Sequence, residues 1–364
     1  MSDQSLISDY IDGVKSSGLT NGTLQKKSDN PLLKEYLTET LGDEIAPNLY
    51  SCKFTGRFCF KTLQPDENGF ICAHKINSIR RVNKFLEAAN ENMQNGHYLV
   101  TAVETKDERK ERLLKKYPKP ISYPYYTLDF VLKRVFPKLK PTRSIYFSIT
   151  GGKNRVISLT EALGRLVSCG FEIVGYKKIG GLTYIISRKV RKPYYDMQPT
   201  YGAIIRLKRV GYEGKVFDVF KVRTMYPYSE YLQDYVYQLN NLGEGGKFQD
   251  DFRTTSYGNF FRRFWIDELP MIYNWLRRDM KLVGVRPLSE HYYYLYPKDI
   301  QEMRTQTKPG LIPPYYADLP KGLDEILESE KKYLEAYQKN PIKTDIRYLF
   351  KALKNIIVLG ARSR

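Results

Sequence analysis

DDFRTTSYGNFFRRFWIDELPMIYNWLRRDM, residues 250–280, is where the chain stops reading as an ordinary amphipathic protein and begins to carry chemistry. Gly, Arg and Asp arrive there at short intervals instead of along a smooth apolar stripe. Phe260, Phe261 and Phe264 predict a short helix that carries Arg262 and Arg263 and ends where Asp267 begins the next. Asp267 takes the place of an N-cap, with Glu268 in the first turn and Ile272, Trp275 and Leu276 as the apolar face beyond. An Asp in that place caps a helix far more often than it reacts. Against that plain reading stand the neighbours in sequence. Adjacent carboxylates with Arg253, Arg262, Arg263 and Arg286 nearby suit a site where carboxylate, divalent metal and phosphate are held together.

Similar clusters lie on either side. In LKRVGYEGKVFDVFKVRTM, residues 207–225, Gly211 and Gly214 suit a tight turn before an alternating run from Val216 to Met225. Strand alternation puts Lys221 and Arg223 on one face, either as a phosphate cradle or as a solvated face, and the pair alone leaves both open. MKLVGVRPLSEHY, residues 280–292, holds Gly284, Arg286 and Pro287 in a rigid turn with Arg286 as an anion clamp. KPGLIPPYY, residues 308–316, is another constrained turn beside a cation, Lys308.

Before this region the pattern differs. Residues 1–49 are polar, with short helical patches such as LLKEYLTETLG, and read as a loosely attached extension. Residues 50–192 alternate helical and extended segments, as an α/β domain does. Ile76, Ile79, Val82 and Leu86 mark a helix face, HYLVTAV and SIYFSIT read as strands, and Ser158 with Glu161 forms a capping box opening SLTEALGRLVSCG. FEIVGYKKI and LTYIISRKV flank Gly180-Gly181 as a hairpin, Gly151-Gly152 reads as a turn, and Lys192-Pro193 marks the boundary to a second domain, 193–364.

Composition bounds the partners. The 364 residues carry a formal net charge of +19, from 59 Lys+Arg against 40 Asp+Glu, and 31 tyrosines. Such a surface attracts polyanions: nucleic acid, anionic lipid or nucleotide pyrophosphate. No RNP-like or helix-turn-helix pattern appears, so nucleic acid is not expected. Cys52, Cys59, Cys72 and Cys169 are too sparse for a disulfide framework; free thiols in a reducing cytoplasm are expected, and Cys52, Cys59, Cys72 and His74 fit no zinc spacing. The polar N-terminal stretch lacks the apolar core of a signal peptide, and no window reaches the ~18 apolar residues of a spanning helix.

The first half resembles, weakly, the C-terminal part of class I methyltransferase-like domains, in which a helix, a "GF.IV" phrase and a hairpin close the sheet. A glycine-rich cofactor turn is missing, which makes it a Rossmann-like partial domain for folding or docking. Over roughly residues 200–358 the ordered clusters resemble the bacterial sugar transferase family of polyprenyl-phosphate phosphoglycosyl transferases, monotopic type. Its arginine-glycine turn and "KFRTM" correspond to Arg209, Gly211, Gly214, Lys221, Arg223, Thr224 and Met225. Its Asp-x-Arg-x-Thr-x-x-Gly and following Arg correspond to Asp251, Arg253, Thr255, Gly258 and Arg262. "DELPQ" appears as Asp267 to Met271, followed by Asn274, Asp279 and Met280; "VGPRP" appears as Val283 to Pro287, and "KPG" as Lys308 to Gly310.

The resemblance implies an N-terminal Rossmann-like partial domain followed by a mixed α+β catalytic domain. It implies that Asp267 attacks the β-phosphorus of a UDP-sugar and releases UMP, and that a polyprenyl phosphate then takes the sugar phosphate. Glu268 would orient the site and, with Asp267, hold Mg²⁺; Lys221, Arg223, Asp251, Arg253, Arg262, Arg286 and Pro287 would bind substrate. Several positions depart from the family. Phe264 and Trp265 replace small polar residues, Met271 a Gln and Val285 a Pro, and the usual long apolar segment before the arginine-glycine turn is absent. A reshaped pocket and a non-catalytic nucleotide-sugar-binding or assembly partner both stay open. The last segment, PIKTDIRYLFKALKNIIVLG, sets Ile342, Ile346, Leu349, Leu353 and Ile356 on one face among Lys343, Arg347, Lys351 and Lys354, as in a helix that lies on a bilayer or packs on its own domain. The expected location is cytoplasmic, peripheral at the inner face of the cell membrane.

Overall fold

The computed structural model describes residues 30–52, 67–195, 202–239 and 251–359. Cys59, the N-terminal residues 1–29 and the boundary stretch 196–201 lie outside them. The chain divides into two compact units, Met1–Gln198 and Pro199–Arg364.

The first unit is a mixed α/β domain. Its helix α1 (Pro31–Leu41) starts where Asn30 caps the Leu32 amide and Pro31 fills the first turn, and it ends at Gly42. Leu33 and Leu37 from this helix are buried with Val100, Ile179 and Ile186 of the sheet. Residues 31–41, expected to hang loosely, are therefore part of this core. β1 (Leu49–Cys52), β2 (Gly69–Lys75) and β3 (Tyr98–Val103) run parallel, separated by α2 (Val82–Glu91) between the last two. After β3 come α3 (Lys106–Lys116), α4 (Lys119–Phe130), α5 (Lys140–Thr150) and α6 (Leu159–Ser168). The expected hairpin, β4 (Phe171–Ile179) and β5 (Leu182–Lys189), then completes the sheet in the order β1-β2-β3-β5-β4, with β5 antiparallel to β3.

Two further readings in this unit are corrected. SIYFSIT is helix, the end of α5. Its Ile145, Phe147 and Ile149 alternate like a strand, but Pro141 sits in the first turn, the Gly151 amide closes on the Phe147 carbonyl from a left-handed cap, and the Thr150 hydroxyl donates to the Tyr146 carbonyl. At Ser158 only half a capping box forms. Ser158 accepts from the Glu161 amide, while the Glu161 carboxylate turns to Arg134 at 2.6 Å, Arg165 at 3.0 Å and Lys138 at 3.3 Å. Cys72 and Cys169 are reduced, buried thiols, and burial pushes the Cys169 thiol up to about 12.

The second unit is mixed as well. β6 (Ile204–Val210) and β7 (Val216–Val222) form an antiparallel hairpin, followed by α7 (Gln233–Leu239), α8 (Ser256–Arg263), α9 (Met271–Leu276), β8 (Lys281–Val283), α10 (Glu290–Tyr294), α11 (Lys298–Thr305), β9 (Gly310–Ile312), α12 (Tyr315–Asp318), α13 (Leu323–Lys339) and α14 (Pro341–Val358). β8 and β9 pair in parallel. Val283, Val285, Tyr316, Tyr333, Leu334, Tyr348 and Ala352 bury the core on which α14 lies. The apolar face expected on α14 is split. Leu349 and Ile356 pack on that core, whereas Ile342 at 77%, Ile346 at 50% and Leu353 at 37% exposure look outward with Phe350 and Ile357. Among the described residues no helix is long and apolar enough to cross a membrane.

Candidate active site

The site grows from the hairpin. Val219 is buried against Met271 and Met280, with Phe217 packed beside them. Lys221 is the next residue on that face, so strand alternation delivers its ammonium to the turn before α9. There Lys221 Nζ donates to Glu268 Oε1 at 2.7 Å. Burial pulls the Lys221 ammonium below its ordinary range, against the pull of Glu268.

Asn274 fixes the register of this contact. It is fully buried; its amide nitrogen donates to the Asp218 carbonyl at 2.7 Å, and its oxygen accepts the Phe220 amide at 3.1 Å. One side chain thus bolts α9 to the strand residues just before Lys221. On the other side, α8 comes so close to Thr224 that a Cβ on Gly258 would stand 2.1 Å from the Thr224 carbonyl. That approach sets Arg262 Nε at 3.0 Å from the Thr224 hydroxyl.

The third wall is the turn after β8. Pairing of β8 with β9 brings residues 284–287 against Lys308 to Gly310, and a Cβ on Gly310 would lie 2.0 Å from the Gly284 nitrogen. Arg286 leaves this turn with Nη2 at 4.0 Å from Glu268 Oε1 and Nη1 at 3.3 Å from the Tyr315 hydroxyl. Tyr315 and, after it, Glu268 hold the guanidinium charged. The Arg286 carbonyl is held by Arg304, itself paired with Glu330.

Asp267 sits amid these groups in a short 3₁₀ turn, Ile266–Glu268, entered through Trp265 in a left-handed conformation (φ 54°). Trp265 is anchored by its indole N–H to the Tyr316 hydroxyl at 3.0 Å. The Asp267 side chain does not cap: α9 begins at Met271 after Pro270, without a side-chain cap. The capping reading is thereby set aside. Among the described residues Asp267 has no ion-pair partner, although Lys221 and Arg262 lie near enough to favour its charge. Burial still outweighs them and, with Glu268 adding to it, raises the carboxyl above its ordinary 3.8.

The residues singled out from sequence fall into four sets. Lys221, Asp267, Glu268, Arg262 and Arg286 are in mutual contact or electrostatic reach. Asp251 and Arg253 are paired with each other, at 2.8 and 2.7 Å, and stand next to Arg262 as its electrostatic neighbours. Arg223 is not Lys221's twin: it lies beyond the end of β7 and donates to the Gly202 carbonyl at 2.9 Å. Pro287 is buried in the turn that carries Arg286. The departures Met271 and Val285 are buried at 4% and 1% exposure, so they fill core. Asn274, Thr224, Tyr315 and Trp265 build the site without having been singled out as substrate-binding or catalytic; their roles depend on contacts across 29 to 56 positions of sequence.

Among the described residues no three His, Cys, Asp or Glu side chains gather around a metal position. Two carboxylates suit Mg²⁺ when phosphate oxygens complete its shell. Both cation contacts of Glu268 fall on Oε1, which is compatible with that arrangement.

Asp267, which among the described residues has no ion-pair partner, thus stands beside a cation-bound second carboxylate and within electrostatic reach of Arg262. Residues 195–358 match the family model of bacterial sugar transferases. The chain is 32% identical over 214 residues to the galactosyl transferase CpsE of Streptococcus agalactiae, covering 58% of this chain and 43% of that protein. It is 28% identical over 203 residues to a UDP-galactose-lipid carrier transferase of Erwinia amylovora, covering 54% and 41%. It is 30% identical over 162 residues to an undecaprenyl-phosphate galactose phosphotransferase of Salmonella typhimurium, covering 43% and 33%. The chain thus spans less than half the length of these relatives.

Proposed function

We propose that the C-terminal unit moves a sugar 1-phosphate from a UDP-sugar to polyprenyl phosphate, for the assembly of cell-surface polysaccharide. An Asp267 oxygen attacks the β-phosphorus, the bond from that phosphorus to the bridging oxygen breaks, and UMP leaves with the electron pair. An oxygen of the polyprenyl phosphate then attacks the same phosphorus, Asp267 departs as carboxylate, and a polyprenyl-diphospho-sugar results. Lys221 and Arg286 keep Glu268 in place, while Arg262 and Arg286 draw the diphosphate toward Asp267. Mg²⁺, held by Asp267 and Glu268 with the diphosphate, would supply charge neutralisation there.

The carrying observation is the contrast within the dyad: Glu268 lies within ion-pair distance of two cations, and among the described residues Asp267 has no ion-pair partner. Relatives named as UDP-galactose-lipid carrier and undecaprenyl-phosphate galactose transferases support the choice of donor and acceptor. The outward Ile342, Phe350 and Ile357 of α14, beside Lys343, Arg347 and Lys354, suit peripheral contact with an anionic bilayer at the cytoplasmic face of the membrane. The test is UMP release from UDP-sugars with Mg²⁺, with and without polyprenyl phosphate, beside an Asp267→Asn control. Absence of UMP and of any covalent adduct with every donor tried would reject the reading in favour of a non-catalytic partner.

A further inference from the structure

Arg209 stands near the end of β6 on the hairpin face that also carries Val219 and Lys221, since it pairs across from Phe217. Its neighbour Val210 donates its amide to the Leu288 carbonyl at 2.9 Å, and the bridge fixes the end of β6 against the turn that carries Arg286. The Gly211 amide closes the following turn on the Lys215 carbonyl at 2.9 Å. Backbone on both sides therefore holds Arg209 beside Arg286.

The environment there is unusual for a guanidinium. The buried arginines of this unit have carboxylates, Arg253 with Asp251 and Arg304 with Glu330, whereas Arg209 is half-buried. Among the described residues Arg209 has no carboxylate within ion-pair distance; its Nη1 reaches only the Lys208 carbonyl, at 2.7 Å. Burial and then the Arg286 charge both work against its charged form. Two cations brought together by main-chain bonds, with one carboxylate shared by Arg286 and none for Arg209, lack an anion.

Chemistry says which anion. When one phosphorus is displaced twice, in line, the group that leaves and the group that enters both stand opposite Asp267. The leaving group is UMP and the entering group is polyprenyl phosphate, each a phosphate monoester carrying close to two negative charges. In the intact donor the same phosphate is a diester with one. We propose that Arg209 and Arg286 form a phosphate-monoester subsite, filled first by departing UMP and then by the phosphate of the polyprenyl acceptor. This rests on the double-displacement reading and adds to it a residue and a shared position.

The experiment compares the full chain with Arg209→Gln and Arg209→Lys, each checked for an unchanged thermal transition. Loss of one charged contact is expected to raise the KM for polyprenyl phosphate and the inhibition constant of UMP together by about tenfold, with the KM for the UDP-sugar moving less than about threefold. UMP inhibits in competition with the acceptor, and Arg209→Lys recovers part of the loss. Acceptor KM and UMP inhibition at wild-type values in Arg209→Gln would overturn the subsite while leaving the transferase reading intact. A wild-type chain that releases no UMP would sink the transferase reading instead. Calorimetric titration of UMP then still decides the subsite: binding weakened about tenfold by Arg209→Gln supports it, and equal binding rejects it.

Discussion

Glu161 in the first unit and Asp267 in the second are both carboxylates set among cations, and folding shifts them in opposite directions. Burial works against the charge of Glu161, but Lys138, Arg134 and Arg165 together outweigh it and hold the carboxyl well below 4.5. Burial also works against Asp267, and there the cations stand too far off to win. The difference is contact. Glu161 is clamped at 2.6 to 3.3 Å by three side chains, whereas the nearest clamp in the second unit goes to Glu268. A clamped carboxylate is spent on structure; an unclamped one keeps its lone pairs for an electrophile.

The largest effect that would break this contrast is in turnover. Asp267→Asn should lower UMP release by at least about 10³-fold, because it removes the proposed nucleophile and leaves only binding. Residual turnover within tenfold of wild type would show that Asp267 is not the acceptor of the sugar phosphate. Glu161→Gln should do the reverse. It strands three buried cations and should cost about 3–5 kcal/mol in the first unit, read by hydrogen exchange of β3 and α6 amides. The pH dependence carries the sign. Because folding depresses the Glu161 carboxyl, its stabilisation is present above 4.5 and fades as pH falls through the folded value, so the wild type loses this protection on acidification and Glu161→Gln has none to lose.

These two clusters also differ in how far sequence reveals them. The proximity of the dyad to Lys221, Arg262 and Arg286 was legible because each sits in a short motif with its own turn or strand, and local geometry delivers it. The Glu161 cluster was read as a capping box, since the three cations that claim the carboxylate include two, Arg134 and Lys138, from more than 20 positions away. The pairing of Arg253 with Asp251 was not legible, because nothing in its spacing says that Asp251, two residues before it, folds back onto it. SIYFSIT alternated like a strand, and only its caps show that it is helix. On α14 the apolar spacing was legible but its division was not: the periodicity of one helix does not say which residues the core takes and which it leaves outward.

Asn274 offers a smaller and sharper probe of the same contrast. Asn274→Ala leaves the Asp218 carbonyl and the Phe220 amide without their buried partner, at a cost of about 2–4 kcal/mol. Because Phe220 precedes Lys221, loosening this bolt should also loosen the Lys221 clamp on Glu268. The expected kinetic result is a lower kcat with a nearly unchanged KM for the donor, measured as UMP release at saturating acceptor. Stability lost with no change in kcat would mean that Asn274 supports the fold without placing the dyad.

The smallest effect separates stability from activity at one atom. Folding raises the Asp267 carboxyl above 3.8, so its contribution to stability is present below 3.8 and is lost as pH rises through the folded value. At neutral pH the ionised carboxylate is then a net cost to the fold. Asp267→Asn should unfold at a slightly higher temperature than the wild type at pH 7. The gain should stay well under about 1 kcal/mol, since Asp267 is partly exposed and solvent screens it. The gap should close as pH falls toward 3.8, while UMP release by the wild type declines over the same descent because the nucleophile takes up its proton. A variant less stable than the wild type at pH 7 would mean that Asp267 is clamped after all, like Glu161, and that its carboxylate is spent on structure.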